Sequence, residues 1–144
     1  MSVNQISVFL ENKPGYLYSM TRVLADHDID MRAFSLAETS DFGIARLIVD
    51  DVLRTMTILK DEGFICSLSP VLAVAVPDVP GGLNQVLALM SADEINIEYM
   101  YAFLGSKDTG KAYMIFRVAE EIRAAASLAA NGIRLVQQEE LSEL

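Results

Sequence analysis

The chain has no tryptophan, one cysteine, one histidine and eleven lysines plus arginines among 144 residues. Each scarcity excludes something. The lone Cys66 has no partner for an internal disulfide, and the lone His27 has no second His or Cys at metal-ligand spacing, so no metal is expected. Twenty acidic residues outweigh the basic ones and give a formal charge of −9. Such a surface repels a phosphate backbone, so nucleic acid is not an expected partner. The longest apolar run, VLAVAV at 71–76, is far short of the roughly 20 residues needed to cross a bilayer. The opening MSVNQISVFLEN lacks a basic segment leading into an apolar one. No membrane partner is expected, and a reducing, cytoplasmic setting is. There is no Ser-His-Asp set, no phosphate-cradling GxxxxGK[ST] and no cofactor motif.

What the chain does have is a repeat. Shifted against itself by 66 positions, it pairs Val8 with Val74, Pro14 with Pro80, Gly15 with Gly81, Leu17 with Leu83 and Ile29 with Ile95. Small insertions then move the register, pairing Gly43 with Gly110, Ala45 with Ala112, Ile48 with Ile115 and finally Gly63 with Gly132. Two copies are too few for a solenoid, so two small domains are expected, 1–70 and 71–144.

Periodicity assigns the elements of the first copy. QISVFLE (5–11) alternates as a strand with Ile6, Val8 and Leu10 on one side, and YLYSMTRVLADH (16–27) spaces Leu17, Met20, Val23 and Leu24 as one helical stripe. IDMRAFSLA (29–37) and IARLIVDD (44–51) read as a hairpin around the polar turn ETSDFG. VLRTMTILKDEG (52–63) reads as a helix with a glycine stop, and FICSLS (64–69) as a closing strand. The second copy repeats the series with VLAVAV, GLNQVLALMSADE, INIEYMYAFL, the turn GSKDTG, KAYMIFRV, EEIRAAASLAANG and IRLVQQEEL.

Strand-helix-strand-strand-helix-strand in about 65 residues predicts an α+β, ferredoxin-like βαββαβ domain: an antiparallel sheet with both helices on one face. One sheet face per copy is left uncovered, and a domain so small gains from joining another, so a homodimer is expected. The junction SPVLAVAVP has almost no linker, which predicts closely held halves.

With this element order on the page, the residues resemble the ACT domain, a small regulatory module of amino-acid metabolism. The resemblance covers the whole chain as two copies. It rests on NKPG (12–15) and DVPG (78–81) between first strand and first helix, on the leucines that follow, and on ADHDIDM (25–31) and SADEINIE (91–98) leading into the second strand. It implies a free-standing, non-catalytic sensor that binds a free amino acid between two domains and acts allosterically on a partner such as a metabolic enzyme, without a cofactor.

The Pro-Gly junction can be read in two ways. Proline ends a strand without donating a hydrogen bond and glycine permits a tight entry into a helix, with Asn12 or Asp78 as the expected capping side chain. Alternatively, the amides of Gly15, Tyr16 and Leu17, and of Gly81, Gly82 and Leu83, lie at helix N-termini where an anion binds favourably. An amino-acid carboxylate suits those amides, and its ammonium would need an acceptor such as the Asn12 amide oxygen or the Asp78 carboxylate. A side chain at Gly15 is expected to crowd the turn. The resemblance further implies contacts from a neighbouring second strand, around Arg32–Leu36 or Asn96–Met100. The copies differ: Asn12-Lys13 stands where the second has Asp78-Val79, and Tyr16 where it has Gly82. The two loops are therefore expected to differ in affinity or ligand.

The remaining candidates read as structural. His27 ends a helix, Cys66 alternates with Phe64 and Leu68 as a small core residue, and Glu120-Glu121 opens a helix where acidic residues suit the dipole. Tyr99, Tyr101, Phe103 and Tyr113 form a core or a dimer face. Acylphosphatases share the element order, but their phosphate loop uses an arginine where ENKPG offers Lys13. RNA-recognition domains need a Gly-Phe-aromatic signature absent from IARLIVD and KAYMIFRV, and metal carriers of this order need Cys-x-x-Cys. A ligand-free assembly module and an unrecognised ferredoxin-like enzyme remain the alternatives.

Overall fold

A computed structural model describes residues 2–107 and 110–144. Backbone contacts divide them into two compact units, Asn4–Ser69 and Pro70–Leu144 with Val3. The first carries β1 (Val3–Glu11), α1 (Tyr16–Asp26), β2 (Met31–Glu38), β3 (Phe42–Val49), α2 (Val52–Asp61) and the start of β4 (Ile65–Pro77). Its strands run in the order β2-β3-β1-β4, with Ile6 opposite Leu47 and Val8 opposite Ala45 across the antiparallel β1–β3 ladder. The alternation of β1 sends Ile6, Val8 and Leu10 into a core with Ala45, Leu47 and Val49, and Met20 and Leu24 of the α1 stripe close over them with Leu59 of α2. On the helix-free face, Gln5, Ser7, Ala33 and Ile48 are buried while Phe9, Phe42 and Ile65 are exposed.

The second unit follows the same plan with the rest of β4, α3 (Gly82–Ala92), β5 (Ile97–Ala102), β6 (Lys111–Val118), α4 (Glu121–Ala130) and β7 (Leu135–Val136). Its core joins Leu72, Val74 and Val76 to Phe116, Val118, Val86, Met90 and Leu128. Of the GSKDTG turn, Asp108 and Thr109 lie outside the described residues. Both first helices end alike. His27 and Asp93 cap α1 and α3, Asp28 and Glu94 follow in left-handed conformation at φ 54° and 55°, and the next amides, Ile29 and Ile95, bond back to Leu24 and Met90 at 3.0 and 2.9 Å. This is the physical content of the matching ADHDIDM and SADEINIE segments.

Three sequence expectations are corrected. FICSLS and VLAVAV form one thirteen-residue strand, β4, since nothing between them supplies a turn and Pro70 holds Ser69 in extended backbone. Only Leu135 and Val136 of IRLVQQEEL pair as a strand; Gln137 and Glu140 then cap each other reciprocally and start a 3-10 helix, Gln138–Glu143, which buries Leu141. Finally, Phe116 faces Leu72 as Leu47 faces Ile6, so β6 lies 69 positions beyond β3, the offset that also relates Gly63 to Gly132. The pairings of Gly43 with Gly110, Ala45 with Ala112 and Ile48 with Ile115 are thus two positions out, because the longer second hairpin absorbs the insertion before β6.

Candidate functional site

In each unit the Pro-Gly loop connects the first strand to the first helix, and its glycine is the helix N-cap in left-handed conformation, Gly15 at φ 91° and Gly81 at φ 83°. Only glycine adopts this backbone without strain. Neither helix has a side-chain cap, which corrects the role expected of Asn12 and Asp78. Asn12 is instead a brace across the loop. Its Nδ2 donates to Glu38 Oε2 and to the Thr39 carbonyl, both at 3.2 Å, and its backbone amide bonds to Asp41 O at 3.0 Å. That orientation leaves Asn12 Oδ1 as an acceptor. Asp78 is tied through its backbone amide to Gly110 O at 3.0 Å. Asn12→Asp is expected to cost about 1 kcal/mol, seen as a lower urea midpoint, because it exchanges a donor for a carboxylate facing Glu38.

The amides fall into two sets. Tyr16 N reaches Lys13 O at a long 3.4 Å, whereas Gly82 N bonds to Val79 O at 2.9 Å. The first helical bonds are Ser19 N to Gly15 O and Gln85 N to Gly81 O, so Leu17, Leu83 and the residues after them, Tyr18 and Asn84, present first-turn amides without a helical acceptor. Tyr18 and Asn84 escaped the sequence reading, which counted from the glycine and not from the cap. Lys13 lies 2.9 Å from Glu11, and this carboxylate, by hydrogen bond and by charge, raises the lysine's pKa. Asn96 is not brought to the second loop: it lines a shallow depression with Ser91 and Glu94 at the far end of α3. Arg32, on β2, pairs with Asp30 at 3.3 Å.

A groove of about 450 Å³ borders the first loop, and both ends of the loop, Glu11 and Tyr16, line it. Phe9, Phe42 and Ile65 supply its apolar wall, and Glu62, at the end of α2, a second carboxylate. None of these three apolar residues sits in a motif, so the sequence gave no sign of them. The expected crowding at Gly15 is corrected here as well: a Cβ would meet nothing within 4 Å, and only the backbone conformation opposes a side chain. At Gly82 the opposite holds. A Cβ there would lie 1.8 Å from the Pro77 carbonyl oxygen, so helix and strand meet where Tyr16 stands open in the first unit.

The other singled-out residues serve the scaffold. His27 is the C-cap of α1, with Nδ1 2.8 Å from Val23 O, and Glu121 opens α4 behind the N-cap Glu120. Cys66 packs on the first core with Phe64, its thiol pKa pushed up by burial, while Leu68 is exposed. Tyr101 and Tyr113 are buried; Tyr99 stacks on Tyr101 with ring centroids 6.4 Å apart, and Phe103 packs on Tyr113 at 5.8 Å. Among the described residues no three His, Cys, Asp or Glu side chains gather as a metal site, and no helix is long and apolar enough to cross a membrane.

Comparisons agree with this geometry. A family model described as an ACT domain pair matches residues 1–144. Protein BT0572 from Bacteroides thetaiotaomicron superposes with a TM-score of 0.92 at 36% identity, over 100% of this chain and 98% of its own. The regulatory subunits of aspartate kinase from Thermus thermophilus and Thermus flavus share the fold, with TM-scores of 0.67 and 0.61 at 17% and 16% identity, covering 90% and 88% of both chains. No curated protein matches. Two βαββαβ units, each with a Pro-Gly loop opening its first helix, and a family match over the full length place the chain among the ACT domain pairs, a regulatory and non-catalytic type of domain.

Proposed function

We propose that this chain is a sensor of a free amino acid, which it binds at a Pro-Gly loop, and that occupancy acts allosterically on a partner, an enzyme of metabolism or a second copy of the chain. The observation that carries the reading is a helix start capped by glycine backbone alone, with first-turn amides facing solvent, in a member of the ACT domain pairs. Backbone amides at a helix N-terminus suit a carboxylate, and Asn12 Oδ1 can accept from the ammonium. No bond need be made or broken: a ligand shifts an equilibrium between two arrangements by the difference in its affinity for them.

The test is a thermal-shift screen of the refolded protein against the twenty amino acids at millimolar concentration. A ligand at a hundredfold excess over its Kd stabilises by about 2.7 kcal/mol, so one compound or a small related set is expected to raise Tm while the others leave it unchanged. Gly15→Val, folded by circular dichroism, is expected to lose that response. A flat screen would instead support a ligand-free assembly module.

A further inference from the structure

We infer that the ligand of the first unit is an amino acid with a large apolar side chain, held in the groove bordered by Glu11 and Tyr16, and that the second unit has no equivalent site. This rests on the sensor reading and specifies its ligand. The groove's volume, about 450 Å³, lies in the ordinary range for small-molecule sites. Its wall is more apolar than a solvent-facing surface needs to be: Phe9, Phe42 and Ile65 are 46%, 58% and 71% exposed, side by side. The two polar groups at its rim that carry charge, Glu11 and Glu62, are both carboxylates. They attract an ammonium and repel an acidic side chain. The Glu11–Lys13 pair is exposed and opens at little cost.

The repeat offers an internal comparison. At the offsets set by the two folds, Phe9 corresponds to Ala75, Tyr16 to Gly82, Phe42 to Lys111 and Ile65 to Arg134. All four apolar wall residues are thus lost or reversed in polarity. Arg134 is moreover engaged, its guanidinium on the Tyr113 hydroxyl at 3.3 Å and on the Glu140 carboxylate. Gly82 is buried against Pro77 with no room for a side chain.

The experiment is isothermal titration of phenylalanine, leucine, isoleucine, glycine, aspartate and lysine into the full chain and into Ile65→Arg, Ile65→Met and Phe42→Ala, with sedimentation velocity on each. Residues 65 and 42 are exposed, so all variants are expected to fold. One of the three apolar amino acids should bind at one site per chain, and Ile65→Arg should weaken it at least about tenfold while Ile65→Met preserves it. Binding of glycine, aspartate or lysine in preference, indifferent to Ile65→Arg, would overturn the groove assignment and leave the sensor reading standing. Ile65→Arg shifting the assembly state with affinity unchanged would overturn it too, making the groove a contact between copies. If no amino acid among all twenty binds, both readings fall.

Discussion

Gly82→Ala is expected to lower stability by about 3 kcal/mol, at the upper end of what overpacking costs, and to move the circular-dichroism melting midpoint down by about 8 °C. The added methyl would sit 1.8 Å from Pro77 O, a backbone atom that cannot swing aside as a side chain would. Either α3 tilts off β4 or the loop 78–81 opens, and each loses packing of Val86 and Met90 on Val74 and Val76. Gly15→Ala is the control. There the new Cβ touches nothing, and only the left-handed backbone is penalised, by about 1 kcal/mol. Equal losses in the two variants would show that the α3 loop relaxes freely and that the close approach carries no energy.

Phe116→Ala is expected to cost about 4 kcal/mol, measured from the urea midpoint. Phe116 is fully buried and is the one aromatic in the second core cluster, which otherwise consists of valine, alanine, leucine, methionine and isoleucine. Its position in the first unit is taken by Leu47, with Ile6 opposite. Alanines 124 and 125 on α4 are short because the ring fills the space above them, and they cannot reach into the void its removal leaves. Leu47→Ala removes fewer atoms and should cost less, about 3 kcal/mol. The reverse order would mean that α4 collapses onto the sheet.

Much of this was legible in the residues. Period-two alternation placed Ile6, Val8 and Leu10 in the core, helical spacing placed Met20 and Leu24 above them, and the repeated Pro-Gly located both helix starts. What stayed hidden depends on distances between segments remote in sequence. Nothing local says that Gly82 rests on Pro77, or that Phe9, Phe42 and Ile65 converge from three strands. The capping role of Asn12 failed for a related reason: the left-handed glycine turned the side chain away from the helix, and the β2–β3 turn offered it Glu38 and Thr39. The register of β6 was misread because glycine paired with glycine across a hairpin of unequal length, where buried side chains and not punctuation fix the alignment.

The helix starts with no side-chain cap carry a consequence for how the two copies diverge. A cap made by Ser or Asp can be lost and regained through many codons, but a left-handed glycine admits almost no replacement, so positions 15 and 81 are fixed in both copies by backbone geometry before any ligand is considered. Their neighbours are not. Freedom is concentrated one residue later, where one copy carries an open tyrosine and the other a glycine pressed on a carbonyl. In a saturation library scored for folding alone, position 82 should therefore be nearly as intolerant as position 81, while position 16 should accept most residues and reveal its constraint only when the library is scored for response to a ligand.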